Sequence, residues 1–131
     1  MSANVERSRR PTILIVDDTP QNLSLMHDIL EQDFTVKLAP SGSRALVIAA
    51  NNTIDLVLLD IMMPEMDGYE VCRRLKANPA SKDIPVIFVT TVPEEQGKKD
   101  GLLLGAVDYI TKPVVPDVLL ACIRHHLAGH H

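Results

Sequence analysis

Five short runs of aliphatic and β-branched residues recur along the chain, each followed by a stretch with helical spacing, and this alternation constrains the fold more than any other feature. The strand-like runs are Thr12 to Val16, Phe34 to Ala39, Ile54 to Leu59, Ile84 to Val89 and Val107 to Ile110. An unbroken apolar run of that length reads as a strand buried on both faces, as in a parallel sheet. The helix-like segments run from Pro20 to Gln32, from a Ser41 cap through an Ala45, Leu46, Ala49 face, from Tyr69 to Ala77, from Glu94 to Leu104 and from Pro116 to Leu127. Leu23, Met26 and Leu30 put an apolar stripe on the first of them, Asp18 or Thr19 is placed to cap it, and Pro20 suits its first turn.

Strict β-α alternation implies right-handed crossovers with helices on both sides of the sheet. Five strands are too few to close an eight-stranded barrel, so the expected fold is an open, doubly wound α/β sheet whose active edge lies at the strand C-termini. A length of 131 residues leaves room for one domain with a proper core. That domain is expected over residues 11–128, after a flexible arm at 1–10 and before Gly129-His130-His131, which reads as the remnant of a purification tag.

The strand ends carry acids. Asp17 and Asp18 follow the first run and Asp60 follows the third, so neighbouring strands would bring three carboxylates into one pocket. Such a cluster persists only if a cation offsets it or one acid keeps its proton. Thr90 ends the fourth run, and the fifth leads through Thr111 into Lys112 and Pro113, adding a hydroxyl and an ammonium to the same edge. Nothing of the form G-x-G-x-x-G follows the first strand and no G-x-x-x-x-G-K-[ST] occurs, so dinucleotide and P-loop chemistry are not supported. Hard oxygen donors on loops suit Mg²⁺, and a carboxylate beside that ion can act as a nucleophile toward phosphorus. The ammonium and hydroxyl would then stabilise the oxygens of the transferred group.

Net charge is −4 although Arg7, Arg9 and Arg10 outweigh Glu6 in the arm, so the body of the chain is more acidic still. That balance argues against nucleic-acid binding by the domain. No apolar run approaches the ~18 residues that span a bilayer, and the first ten residues lack a signal-peptide core, so no membrane association and a cytoplasmic location are expected. Cys72 and Cys122, far apart in helix-like segments, form neither a disulfide framework nor a zinc spacing. His125 and His126 point about 100° apart on a helix and cannot chelate together.

Four motifs carry a resemblance to the receiver domain of bacterial two-component response regulators, and it spans about Thr12 to Leu127. They are Ile15-Val16-Asp17-Asp18; Leu58-Leu59-Asp60-Ile61-Met62-Met63-Pro64-Glu65-Met66-Asp67-Gly68; Pro85-Val86-Ile87-Phe88-Val89-Thr90; and Gly105-Ala106-Val107-Asp108-Tyr109-Ile110-Thr111-Lys112-Pro113. The resemblance implies Asp60 as phosphoacceptor, and Asp17, Asp18, Asp60 and the Met62 carbonyl as ligands of Mg²⁺. It implies that Lys112 pairs with Asp60 and the phosphoryl group, that Thr90 is the switch hydroxyl, that Tyr109 changes rotamer with it, and that the Lys112–Pro113 bond is cis. It also implies the flavodoxin-like strand order 2-1-3-4-5, with helices one and five on one face, helices two, three and four on the other, and Cys72 and Cys122 separated by the sheet.

A chain of this kind takes phosphate from a sensor histidine kinase or a phosphotransfer protein and catalyses only its own phosphorylation and dephosphorylation. The signal would reach an output domain, a partner protein or a second copy at the face of helix four, strand five and helix five. The segment Asp17-Asp18-Thr19-Pro20-Gln21-Asn22-Leu23 resembles receivers joined to cyclic-di-nucleotide enzymes or hybrid kinases. Two departures stand out. Thr91 occupies a position where the family usually has a small residue, and Gly97 and Gly101 in helix four each cost about 1 kcal/mol relative to Ala. Asp67-Gly68 reads as a turn device in which Gly68 supplies a permissive backbone. A Mg²⁺ phosphohydrolase with an aspartyl nucleophile is the first rival, but it would want a second acid where Met62 stands. A pseudo-receiver serving only as an interaction module is the second, and the full acidic set with Lys112 opposes it.

Overall fold

A computed structural model describes residues 10–91 and 100–128 of the chain. The arm at 1–9, the start of the fourth helix-like segment with Gly97, and the terminal residues 129–131 lie outside the described residues. Five parallel strands form one sheet in the order β2-β1-β3-β4-β5, with β1 at Thr12–Val16, β2 at Thr35–Ala39, β3 at Leu56–Leu59, β4 at Val86–Thr90 and β5 at Asp108–Thr111. The helices are α1 (Pro20–Leu30), α2 (Gly42–Asn51), α3 (Gly68–Ala77), a turn at residues 100–103 designated α4, and α5 (Pro116–Ala128).

The strands lie on the apolar runs: β1 matches its run, β2 to β5 start one or two residues later than theirs, and β4 and β5 run on by one residue to Thr90 and Thr111. Phe34 precedes β2, its N–H donating to the Leu30 carbonyl at 3.0 Å while its ring stays in the core. Every residue of β1, β3 and β4 is buried, because helices cover both faces of these inner strands. Side-chain alternation divides the core. Leu14, Val16, Val57, Leu59, Val86 and Phe88 face α2 and α3, whereas Ile13, Ile15, Leu56, Leu58, Ile87 and Val89 face α1 and α5. Cys72 packs in the first cluster and Cys122 against the second, so the sheet separates them and both are free thiols.

Helix starts follow local chemistry, with one correction. Ser41 caps α2 by accepting from the Arg44 N–H at 3.2 Å, and Asp67 caps α3 by accepting from the Glu70 N–H at 2.9 Å. At α1, Thr19 holds the cap position and Pro20 the first turn, but neither Asp18 nor Thr19 caps it through a side chain. Asp17 Oδ1 instead accepts the Thr19 N–H at 2.9 Å, which turns the chain from strand to helix and orients the acid.

Two glycines answer to close approach. A Cβ on Gly68 would lie 2.1 Å from the Asp60 carbonyl oxygen, and its φ is not positive, so lack of bulk rather than backbone freedom is what this position requires. A Cβ on Gly101 would lie 2.7 Å from two atoms of the Phe88 ring, which offsets the propensity cost of glycine in a helix.

Candidate functional site

Strand register assembles the site. Val16 pairs with Leu59 across β1 and β3, and the Asp60 N–H donates to the Val16 carbonyl at 2.9 Å, so Asp17 and Asp60 leave the sheet side by side. Thr90 pairs with Thr111 across β4 and β5, and the Lys112 N–H continues that ladder to the Thr90 carbonyl at 2.9 Å. One carboxylate oxygen from each of Asp17, Asp18 and Asp60 lies within 4.8 Å of the others. Asp17 and Asp60 are buried and Asp18 is exposed, so the cluster has two inner acids and one at its mouth.

Lys112 neutralises part of this charge and sits closer to Asp17 than to Asp60. Its Nζ lies 2.6 Å from Asp17 Oδ2 and 3.4 Å from Asp60 Oδ2. The fully enclosed Asp17 takes the tighter bond because it has the least access to water. Burial pushes the Asp60 carboxyl above the usual carboxylate range; the Lys112 ammonium pulls it down, the Asp17 charge adds to the rise, and a hydrogen bond from Thr90 opposes it. Thr90 is fully buried against this group, and Tyr109 packs on the α2 and α3 side of the sheet. The Lys112–Pro113 peptide is cis.

The acids open into a cleft of about 620 Å³ lined by Asp18, Asp60, Met62, Thr91, Lys112 and Pro113 among others. Met62 is exposed at its rim, and Thr91 reaches the same cleft. Three carboxylates with a single lysine leave negative charge uncompensated, and an all-oxygen donor set with room for water fits Mg²⁺. Sequence reasoning missed Asn22, whose Nδ2 donates to Asp17 Oδ1 at 3.4 Å from the first turn of α1. Its position a few residues beyond the acids was the available signal.

Comparison with known proteins is consistent with this geometry. The family model described as the response regulator receiver domain matches residues 13–124. The chain is similar to a probable cyclic di-GMP phosphodiesterase of Vibrio cholerae, at 50% identity over 116 residues, 88% of this chain and 26% of that protein. It is 40% identical over 118 residues to protein PilH of Pseudomonas aeruginosa, covering 89% of this chain and 98% of the relative. It thus spans about a quarter of the first relative and nearly all of the second. Among solved structures, a putative response regulator from Chloroflexus aurantiacus superposes with a TM-score of 0.87 at 31% identity, over 92% of this chain and 99% of that one.

Proposed function

The chain belongs to the response regulator receiver domain family of phosphoacceptor signalling domains, and from that membership we propose that Asp60 accepts the phosphoryl group, with Mg²⁺ held by Asp17, Asp18, Asp60 and the Met62 carbonyl. The observation that carries the assignment is the meeting of three carboxylates, Lys112 and Thr90 at one cleft. A carboxylate oxygen of Asp60 attacks phosphorus of a phosphohistidine on a sensor kinase or phosphotransfer protein; the new O–P bond forms as the N–P bond breaks and its electron pair returns to the imidazole. Burial makes Asp60 more basic than a surface acid and so a better nucleophile, while Lys112 and Thr90 keep its ionised form accessible. Lys112 and the Thr90 hydroxyl then hold oxygens of the attached phosphoryl group. Mg²⁺ held by the three carboxylates and the Met62 carbonyl would supply positive charge against the phosphoryl oxygens.

The attached group draws Thr90 toward it, and Tyr109 follows into the space released. The surface at α4, β5 and α5 carries Leu102, Leu103, Val107, Val115 and Val118 exposed, and this is the face we assign to an output domain, a partner protein or a second copy. No described helix is long and apolar enough to cross a membrane. The Asp17 to Leu23 segment and the similarity to a probable cyclic di-GMP phosphodiesterase both favour an output enzyme of cyclic-di-nucleotide chemistry.

Acetyl phosphate with Mg²⁺, read by intact mass, tests the assignment. One phosphate per chain is expected, dependent on Mg²⁺ or Mn²⁺ and absent in Asp60→Asn. Labelling at undiminished stoichiometry in Asp60→Asn would overturn it.

A further inference from the structure

Asp108 opens β5 and meets Cys122 and His126, which stand one helical turn apart on α5. Cys122 Sγ lies 3.2 Å and His126 Nε2 2.8 Å from the same carboxylate oxygen, Oδ2. The other oxygen, Oδ1, accepts the Tyr109 backbone N–H at 2.8 Å, which fixes the carboxylate so that Oδ2 stays directed at thiol and imidazole. One donor atom from each residue lies within 4.8 Å of the other two, and all three side chains are half-buried. The cluster sits at the N-terminal end of β5, away from the strand C-termini that carry the acidic cleft.

We propose that Asp108, Cys122 and His126 hold one zinc ion, or another divalent transition metal of the same borderline class, with solvent completing the tetrahedron. Thiolate, imidazole and carboxylate on one centre suit this class, whereas Mg²⁺ takes oxygen donors alone. Tetrahedral zinc places its oxygen and nitrogen ligands about 3.3 Å apart and its oxygen and sulfur ligands about 3.5 Å apart. The observed 2.8 and 3.2 Å therefore need to open by only a few tenths of an ångström. One carboxylate, one thiolate and a divalent ion sum to zero charge, which suits a half-buried position.

Without the ion, hydrogen bonds hold the arrangement. Burial and the hydrogen bond and charge of Asp108 push the Cys122 thiol up to about 12, so it remains protonated. Binding replaces that proton with the metal and releases it to solvent, and Asp108 becomes a fellow ligand. The ion would join the edge strand of the sheet to the last helix.

The full chain, with excess Mg²⁺ to occupy the acidic cleft, is titrated with Co²⁺, whose thiolate complexes give a charge-transfer band in the near ultraviolet. One equivalent is expected to produce the band, Zn²⁺ to displace it, Cys122→Ser to abolish it and Cys72→Ala to leave it intact. Zn²⁺ affinity should fall about tenfold or more in His126→Gln and in Asp108→Asn. It should change by less than about twofold when His130 and His131 are both replaced by Ala. Absence of a thiolate band, or a band that depends on Cys72 or on His130 and His131, would overturn the site.

Discussion

Lys112 Nζ lies 2.6 Å from Asp17 Oδ2, an ion pair between residues 95 positions apart in which the carboxylate has no exposure to solvent. The lysine is therefore the counter-ion of a buried acid before it is a phosphoryl ligand. Removing it leaves Asp17 charged and enclosed, an arrangement that costs about 3 kcal/mol in other proteins. Lys112→Ala should lower stability by that order in urea denaturation without Mg²⁺, and added Mg²⁺ should recover part of the loss. Mg²⁺ affinity should hold or rise while phosphorylation-dependent partner binding falls. Unchanged denaturation midpoints would show that Asp17 does not depend on this charge.

Asp60 gives a pH dependence of definite sign. Its folded-state carboxyl is raised, chiefly by burial, so between the unfolded and folded titration points the native state holds more protons than the unfolded chain. Stability contributed by this group is then lost as pH rises through the folded value. Asp60→Asn should raise the melting temperature at neutral pH, with a gain that shrinks once the pH falls below the unfolded carboxylate value of about 3.9. A gain that is the same at acid and neutral pH would locate its origin elsewhere.

Thr91 lies beside Asp60 and Lys112 in the lining of the cleft. Water that hydrolyses the acyl phosphate must approach in line with the Asp60 bond, and a second hydroxyl and methyl there obstruct or misorient it. Thr91→Ala should speed both phosphorylation by small donors and autodephosphorylation, by about threefold or more, with Mg²⁺ affinity unchanged. Equal phosphoryl lifetimes in the two proteins at saturating Mg²⁺ would contradict this role.

Both cysteines are protected from reaction, each in its own way. Cys72 is buried with its Sγ 3.6 Å from the Leu104 carbonyl, and Cys122 is held protonated up to about 12 by burial and Asp108. Metal-free native protein should alkylate slowly at neutral pH at both thiols, and reduction should add no hydrogens. Asp108→Asn should speed alkylation at Cys122 by removing the charge that opposes the thiolate. A rate insensitive to Asp108 would show that burial alone protects it.

The sheet was legible because its signals are local: the runs ending at Val16, Leu59 and Val89 read as strands buried on both faces, whereas the order that carries Asp17, Asp18, Asp60, Thr90 and Lys112 to one edge was implied by the family resemblance. What escaped the sequence was set by packing. The preference of Lys112 for Asp17 depends on which acid is more enclosed. Gly68 reads from sequence as a permissive turn residue and Gly101 as a cost to helix four, and only the Asp60 carbonyl and the Phe88 ring packed against them give the reason for each. Cys122 and His126 carried a ligand spacing along one helix turn, but their separation from Cys72 hid it, and Asp108 joins them only through the contact of β5 with α5.

The missing Cβ of Gly68 ties the peptide of Asp60 to the first turn of α3, while the Gly68 N–H donates to the Ile61 carbonyl at 2.8 Å. The stretch from Asp60 to Gly68 is thereby a closed cassette whose two ends touch. Recombination between receivers can cross over before β3 or after the start of α3, but a junction inside this stretch would join an acceptor from one parent to a floor shaped for another. Chimeras built to exchange docking helices should therefore carry the cassette whole, and insertions or deletions within it should be selected against even where the acid itself is kept.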